Sequence, residues 1–120
     1  MKAEDTNTVL VFVPTATSRV RQRGYDQARL IARELGRLHR IPLLPALVRV
    51  GQRRQVGASG EQRRRQLQDA FRVVRKPTLK GKHVVLVDDV VTSGATLEAA
   101  ARVLHQAGAQ RIDAAVFARA

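Results

Sequence analysis

Apolar positions along the chain follow two periods. "TVLVFVP" (Thr8–Pro14) is a β-branched apolar run closed by proline, the signature of a buried strand. "TATSRVRQRG" then reads as a loop of small hydroxyl residues closed by Gly24. From Tyr25 the spacing lengthens: Ala28, Ile31, Leu35 and Leu38 recur every three or four residues, an amphipathic helix ending near His39, with Arg29, Arg33 and Arg37 on the other face. Pro42 stops that helix, and "PLLPALVRV" offers a short strand with a turn at Pro45. "AFRVV" reads as another strand, and "HVVLVDD" as an uninterrupted apolar strand suited to the centre of a parallel sheet. Leu97, Ala100, Ala101 and Leu104 build a second helix with Gly108 just past its end, and "RIDAAVFA" closes as a buried strand.

Strands that alternate with helices predict an α/β domain, a mostly parallel sheet of four or five strands flanked by helices. At 120 residues, with 44% hydrophobic content, residues 1–120 suffice for one domain around one core. There is no internal repeat. No apolar run approaches the roughly 20 residues of a membrane-spanning helix. Cysteine is absent, which excludes disulfides and thiolate zinc sites and suits a reducing cytoplasm.

Charge changes the picture more than composition does. The chain carries 22 Lys and Arg against 10 acids, for a net +12, and only four of the cations are lysines. From Thr6 to Lys82 there are 18 basic residues and four acids, whereas from His83 onward there are three and four. Five arginines and three glycines fall within Gly51–Gln68, which reads as a flexible basic loop at about 51–68 with one helical turn near Glu61–Leu67. Such a surface favours anionic partners: phosphorylated metabolites, nucleic acid or an anionic membrane.

The chemistry concentrates in "HVVLVDDVVTSGAT". Ligands of an open parallel sheet bind beyond the carboxyl ends of its strands, where Asp88 and Asp89 are expected to end theirs. The following residues lead into a helix start, where backbone N–H groups and the helix dipole make an anion site. Gly94 permits close backbone approach, and Thr92, Ser93 and Thr96 add hydroxyl donors. Two carboxylates beside a phosphate cradle suit sugar hydroxyls or a hard cation such as Mg²⁺. Capping the next helix would occupy only one of them. A Walker phosphate loop is excluded because no lysine follows Gly94. A receiver domain needs a phosphoacceptor Asp on a later strand, and Asp113 alone follows the motif. The residues therefore describe a ribose 5-phosphate pocket.

"VVLVDDVVTSGAT" also resembles the thirteen-residue phosphoribosyl pyrophosphate (PRPP) motif of the type I phosphoribosyltransferases. "RQRGYDQARLIAREL" and "QVGASGEQRRRQLQDAF" extend the resemblance to the ComF-like, competence-associated branch, with Asp26, Ala58, Gln66 and Asp69 as departures. Together these cover roughly Val9 to Ala120. The resemblance implies a type I phosphoribosyltransferase fold and Mg²⁺-dependent transfer of a phosphoribosyl group from PRPP. Asp88 and Asp89 would engage ribose hydroxyls and the metal, while Thr92, Ser93, Gly94, Ala95 and Thr96 would wrap the 5-phosphate. Arg19, Arg21 and Arg23 would hold pyrophosphate, with Arg19 carrying the most charge stabilisation because Ala16 and Ser18 replace the branch's usual His and Arg. The zinc ribbon usual in that branch is not encoded in these cysteine-free residues, so the acceptor stays open.

No residue stands out as a general base: Thr92 lies where purine-type relatives place a carboxylate, and His39, His83 and His105 read as structural or solvated. A second function class is a non-catalytic module of the same fold that acts in DNA uptake (competence) or nucleic-acid binding, contacting DNA through the basic surface. At 3% aromatic residues, stacking platforms for single strands are largely missing, which leaves backbone contact. Self-association into a homo-oligomer is a further expectation.

Overall fold

Residues of Thr8–Phe12 point alternately to the two faces of a sheet, and both faces are filled with apolar side chains. The computed structural model describes residues 7–14, 26–50, 70–74, 79–91 and 94–119. Its elements are β1 (Thr8–Phe12), α1 (Gln27–His39), β2 (Leu47–Arg49), β3 (Phe71–Val73), β4 (His83–Val91), α2 (Ala95–Gln106) and β5 (Arg111–Arg119).

β1, β4 and β5 form a parallel sheet in the order β1-β4-β5. Register runs from Thr8 opposite His83 to Phe12 opposite Val87, and from His83 opposite Arg111 to Val91 opposite Arg119. β4 is the uninterrupted apolar strand, and it takes the central place. One face packs Leu10, Val85 and Val87 against Ala32 of α1 and Ile41. The other packs Val9, Val11, Val84 and Leu86 against Ala99, Ala100 and Leu104 of α2, and against Leu47, Ala70 and Phe71 of the β2–β3 region. Alanines at the contact positions let both helices lie close to the sheet. Each fully buried Leu or Val contributes about 1.5–3 kcal/mol, so Leu10, Leu86, Leu104 and Val84 outweigh any local propensity.

The predicted parallel architecture is present, with fewer strands in the sheet than expected. Among the described residues it has three, extended beyond β1 by a single bridge between Leu10 and Leu43. Leu10 donates to the Pro42 carbonyl at 2.9 Å and Leu44 donates to the Leu10 carbonyl at 2.8 Å. Pro42 and Pro45 lack the N–H groups that would lengthen this ladder. The remaining runs pair with each other: β2 and β3 form an antiparallel ribbon with Leu47 opposite Val73 and Arg49 opposite Phe71.

Two further expectations need correction. β4 does not stop at the acid pair but continues to Val91, because β5 supplies hydrogen-bonding partners that far. β5 itself is not buried. It forms the sheet edge among the described residues, and Val116 and Phe117 are 40% and 53% exposed. No helix among the described residues is long and apolar enough to cross a membrane.

α1 starts where Asp26 caps it: its Oδ1 accepts the Ala28 N–H at 3.2 Å, an interaction worth about 1 kcal/mol. It ends where Arg40 turns into the left-handed region (φ 55°) and donates to the Gly36 carbonyl. Ile41 also donates to that carbonyl, at 3.0 Å, so the chain folds tightly back over Gly36. A Cβ at Gly36 would lie 2.8 Å from the Ile41 carbonyl oxygen, a backbone atom with little room to move.

Gly36→Ala should therefore lower stability by about 1–2 kcal/mol, although alanine is about 1 kcal/mol the better helix former. Urea denaturation checks this, and an unchanged or raised midpoint would contradict the close approach.

Candidate functional site

Asp88 is the first charged residue along β4, and it comes before the strand leaves the core. It continues the alternation of Val84 and Leu86, which places it on the sheet face covered by α2 and the β2–β3 ribbon. Only 7% of its surface is exposed, and it accepts the Asp89 N–H on Oδ1 at 3.0 Å. Burial pushes the Asp88 carboxyl up to about 6, and the neighbouring Asp89 carboxylate pushes the same way. The Asp89 N–H and the positive charge of Arg49 pull it back. A cation or hydroxyl donor brought to this pair would favour the ionised form further.

Beyond β4, Gly94 precedes α2 with φ 79° and ψ −8°, a left-handed conformation that suits glycine. Among the described residues nothing lies within 4 Å of where its Cβ would be. Gly94 stands at the N-cap of α2 and, having no side chain, offers no side-chain cap of its own. Ala95 and Thr96 form the first turn of α2, both half-buried. The fold thus brings Asp88, Asp89, Gly94, Ala95 and Thr96 into one strand-to-helix passage at the carboxyl end of the central strand. The basic candidates Arg19, Arg21 and Arg23, the hydroxyl residues Thr92 and Ser93, and the loop at 51–68 lie outside the described residues.

Arg49 was not singled out by sequence reasoning. It sits at the end of β2 with its guanidinium 4.8 Å from the centroid of the Phe71 ring, and its Nε donates to the Pro14 carbonyl at 3.1 Å. Its charge also reaches Asp88. The available signal was one arginine in the short apolar run "ALVRV", where a strand buried on both faces has no place for a cation.

The three histidines lie away from the acid pair. His83 Nε2 pairs with Asp113 Oδ2 at 2.6 Å, and its Nδ1 lies 3.3 Å from Thr8 Oγ1, at the amino ends of the strands. Arg111 adds a 3.1 Å contact to the same Asp113 oxygen. His39 and His105 are exposed near helix ends. A cavity of about 430 Å³ lined by Asn7, Gly81, His83, Gln110 and Arg111 opens at this same amino edge, away from the acid pair. Among the described residues no group of three or more His, Cys, Asp or Glu side chains could enclose a metal. Asp88 and Asp89 still fit Mg²⁺, which typically takes one or two carboxylates and completes its shell with ligand oxygens and water.

Residues 20–120 match the phosphoribosyl transferase domain. The chain belongs to that family. The phosphoribosyl transferase domain thus includes β4, its acid pair and Gly94, and the candidate site residues fall within the matched span except Arg19. Competence protein F of Haemophilus influenzae is 36% identical over 114 residues, covering 92% of this chain and 50% of that protein. DNA utilization protein YhgH of Escherichia coli is 35% identical over 105 residues, covering 86% of this chain and 45% of that protein. The chain therefore spans about half the length of these curated relatives, which bear out the resemblance to the competence-associated branch. Among solved structures, the phosphoribosylpyrophosphate synthetase of Mycobacterium smegmatis shares the phosphoribosyl transferase fold, with TM-score 0.57 and 22% identity over 96% of this chain and 28% of that one.

The raised Asp88 carboxyl has a signed consequence for the ligand-free domain. Its ordinary value is 3.8 and its folded value about 6, so between these the folded chain keeps a proton that the unfolded chain has lost. Stability from this group is greatest at low pH and falls as pH rises through that window. Asp88→Asn should remove that slope and stabilise the domain at pH 7.5 by on the order of 1–2 kcal/mol. Urea denaturation of both proteins at pH 4.5 and 7.5 reads the difference, and identical pH dependence would contradict it.

Proposed function

We propose that this domain binds PRPP with Mg²⁺ and transfers its phosphoribosyl group to an acceptor nucleophile. The observation that carries the reading is the adjacency of an acid pair, Asp88 buried and Asp89 half-buried, to a left-handed glycine at a helix start, both on the central strand's carboxyl side. Asp88 and Asp89 accept hydrogen bonds from the ribose hydroxyls and fix the ring. The passage from Thr92 to Thr96 receives the 5-phosphate through backbone N–H groups and hydroxyls. Arg19, Arg21 and Arg23 take the pyrophosphate, with Arg19 supplying most of the charge stabilisation. The bond from ribose C1 to the pyrophosphate oxygen breaks, the acceptor's lone pair forms the new bond at C1, and the acceptor's proton passes to solvent or to the leaving group. Asp88 and Asp89 would also hold Mg²⁺, whose contribution when bound is neutralisation of negative charge on the leaving pyrophosphate. The cysteine-free composition suits the cytoplasm as the place of reaction.

Isothermal titration should show PRPP binding in the presence of Mg²⁺ and none after chelation. Replacing both acids, Asp88→Asn with Asp89→Asn, should weaken it by about a hundredfold, the loss of two or more charge-assisted bonds. Circular dichroism of the same variant keeps the fold in view. Equal affinity in the folded double variant would remove the ribose-pocket assignment.

A second reading is favoured by α1. Arg29, Arg33 and Arg37 recur every four residues on its exposed side, and Glu34 is the sole acid within the helix, paired with Arg37. The exposed positions of α2 carry Glu98, Arg102 and His105 and are close to neutral. A helical ridge of arginines fits a phosphate backbone, and a relative is named for DNA utilization. This reading makes α1 a nucleic-acid contact, with or without turnover at the acid pair.

Affinity for duplex DNA should then fall steeply with salt. Replacing Arg29, Arg33 and Arg37 by Gln should reduce the slope of log K against log salt by roughly 2–3, at about 0.9 for each phosphate no longer neutralised. Fluorescence anisotropy across a salt series measures it, and an unchanged slope and affinity would exclude α1 as the binding surface.

A further inference from the structure

Three separate parts of the chain meet at Arg49. It closes the β2–β3 ribbon, whose ends are tied by Val50 donating to the Ala70 carbonyl at 2.7 Å and Val74 donating to the Ala46 carbonyl at 2.8 Å. Its guanidinium carbon lies over the ring of Phe71, 4.8 Å from the centroid, and that ring is packed in the core at 4% exposed. Its Nε is spent on the Pro14 carbonyl, the last described backbone acceptor after β1. Val13 in turn donates to the Val87 carbonyl at 2.8 Å, one residue before Asp88. Arg49 therefore bridges the ribbon to the end of β1, which is itself tied to β4 beside the acid pair.

We propose that Arg49 is a positioning residue of the PRPP site. It fixes the carboxyl end of β1 against the β2–β3 ribbon and so holds Pro14 in place relative to Asp88 on β4. The fork and plane of the guanidinium do this work, since they let one side chain stack on a ring and donate edge-on to a carbonyl. A lysine supplies the charge but neither the planar stack nor the directed Nε donor. The affinity part of this inference rests on the PRPP reading, and the geometric part does not.

The test compares wild type, Arg49→Lys and Arg49→Gln in two measurements. Isothermal titration with Mg²⁺ and PRPP should show Arg49→Lys weakened about tenfold, the loss of roughly one hydrogen bond made by a charged group, and Arg49→Gln weakened at least as much. Thermal melting reports whether each variant is folded, and Arg49→Lys alone decides if Arg49→Gln is not. Wild-type affinity in Arg49→Lys would overturn the proposal, because the residue would then act as charge only. Wild-type affinity in both variants would overturn it as well. Amide hydrogen exchange of the ligand-free proteins should show Val13 and Val50 exchanging about tenfold faster in Arg49→Lys. If the wild type binds no PRPP, the PRPP reading falls by itself. Exchange then decides for Arg49, with unchanged protection at Val13 and Val50 overturning its role.

Discussion

β4 is covered on both faces and hydrogen-bonded along both edges, and everything else in the fold adapts to that. The stretch enclosed on both edges, Val84–Val87, carries no charge, since a buried ion without partners costs several kcal/mol. Polarity appears on either side of it. At the amino end His83 meets Thr8 and Asp113, and at the carboxyl end stand Asp88 and Asp89. The amino-end group is closed by its own partners, including Arg111. The carboxyl-end pair leads instead into the left-handed glycine at the start of α2. One central strand thus separates a polar cluster at its amino end from the acid pair towards its carboxyl end.

The electrostatics of the two halves complement each other. Residues from His83 onward contribute the acids of the site and almost no net charge, while the preceding residues contribute a large arginine excess. Asp88 is held where burial disfavours its charge, and Arg49 is the described cation that counters this. The arginines that do pair on the surface, such as Arg37 with Glu34, are exposed and contribute little to stability.

Much of this was legible in the sequence because the signals were local. The unbroken apolar run at 84–87 marks the central strand, the spacing of Ala28, Ile31 and Leu35 marks α1, and Gly108 sits just past α2 with φ 105°. The acid pair and Gly94 were readable as a site because strand, charge and glycine follow one another directly. What was missed depends on partners distant in sequence. The exposure of β5 follows from its being paired along β4 alone among the described residues, and apolar residues such as Val116 and Phe117 read as core until that edge is known. The extension of β4 past Asp89 needed β5 to pair with it. The part played by Arg49 needed Pro14 and Phe71, which lie far from it along the chain.

The register of β1 against β4 also dictates when the molecule can assemble. Thr8 and His83 are opposite each other yet 75 residues apart in the chain. At a synthesis rate of roughly 5–20 residues per second, β1 waits for its partner for roughly 4–15 seconds after leaving the ribosome. During that interval α1 has no sheet to lie on, and the apolar face of β1 stays open to water or to a chaperone. Pairing this distant makes nucleation depend on a late encounter instead of on a local hairpin. The arginine-rich middle of the chain, flanked by these two strands, keeps the waiting polypeptide soluble through mutual repulsion. The sheet begins to form only once β4 has emerged.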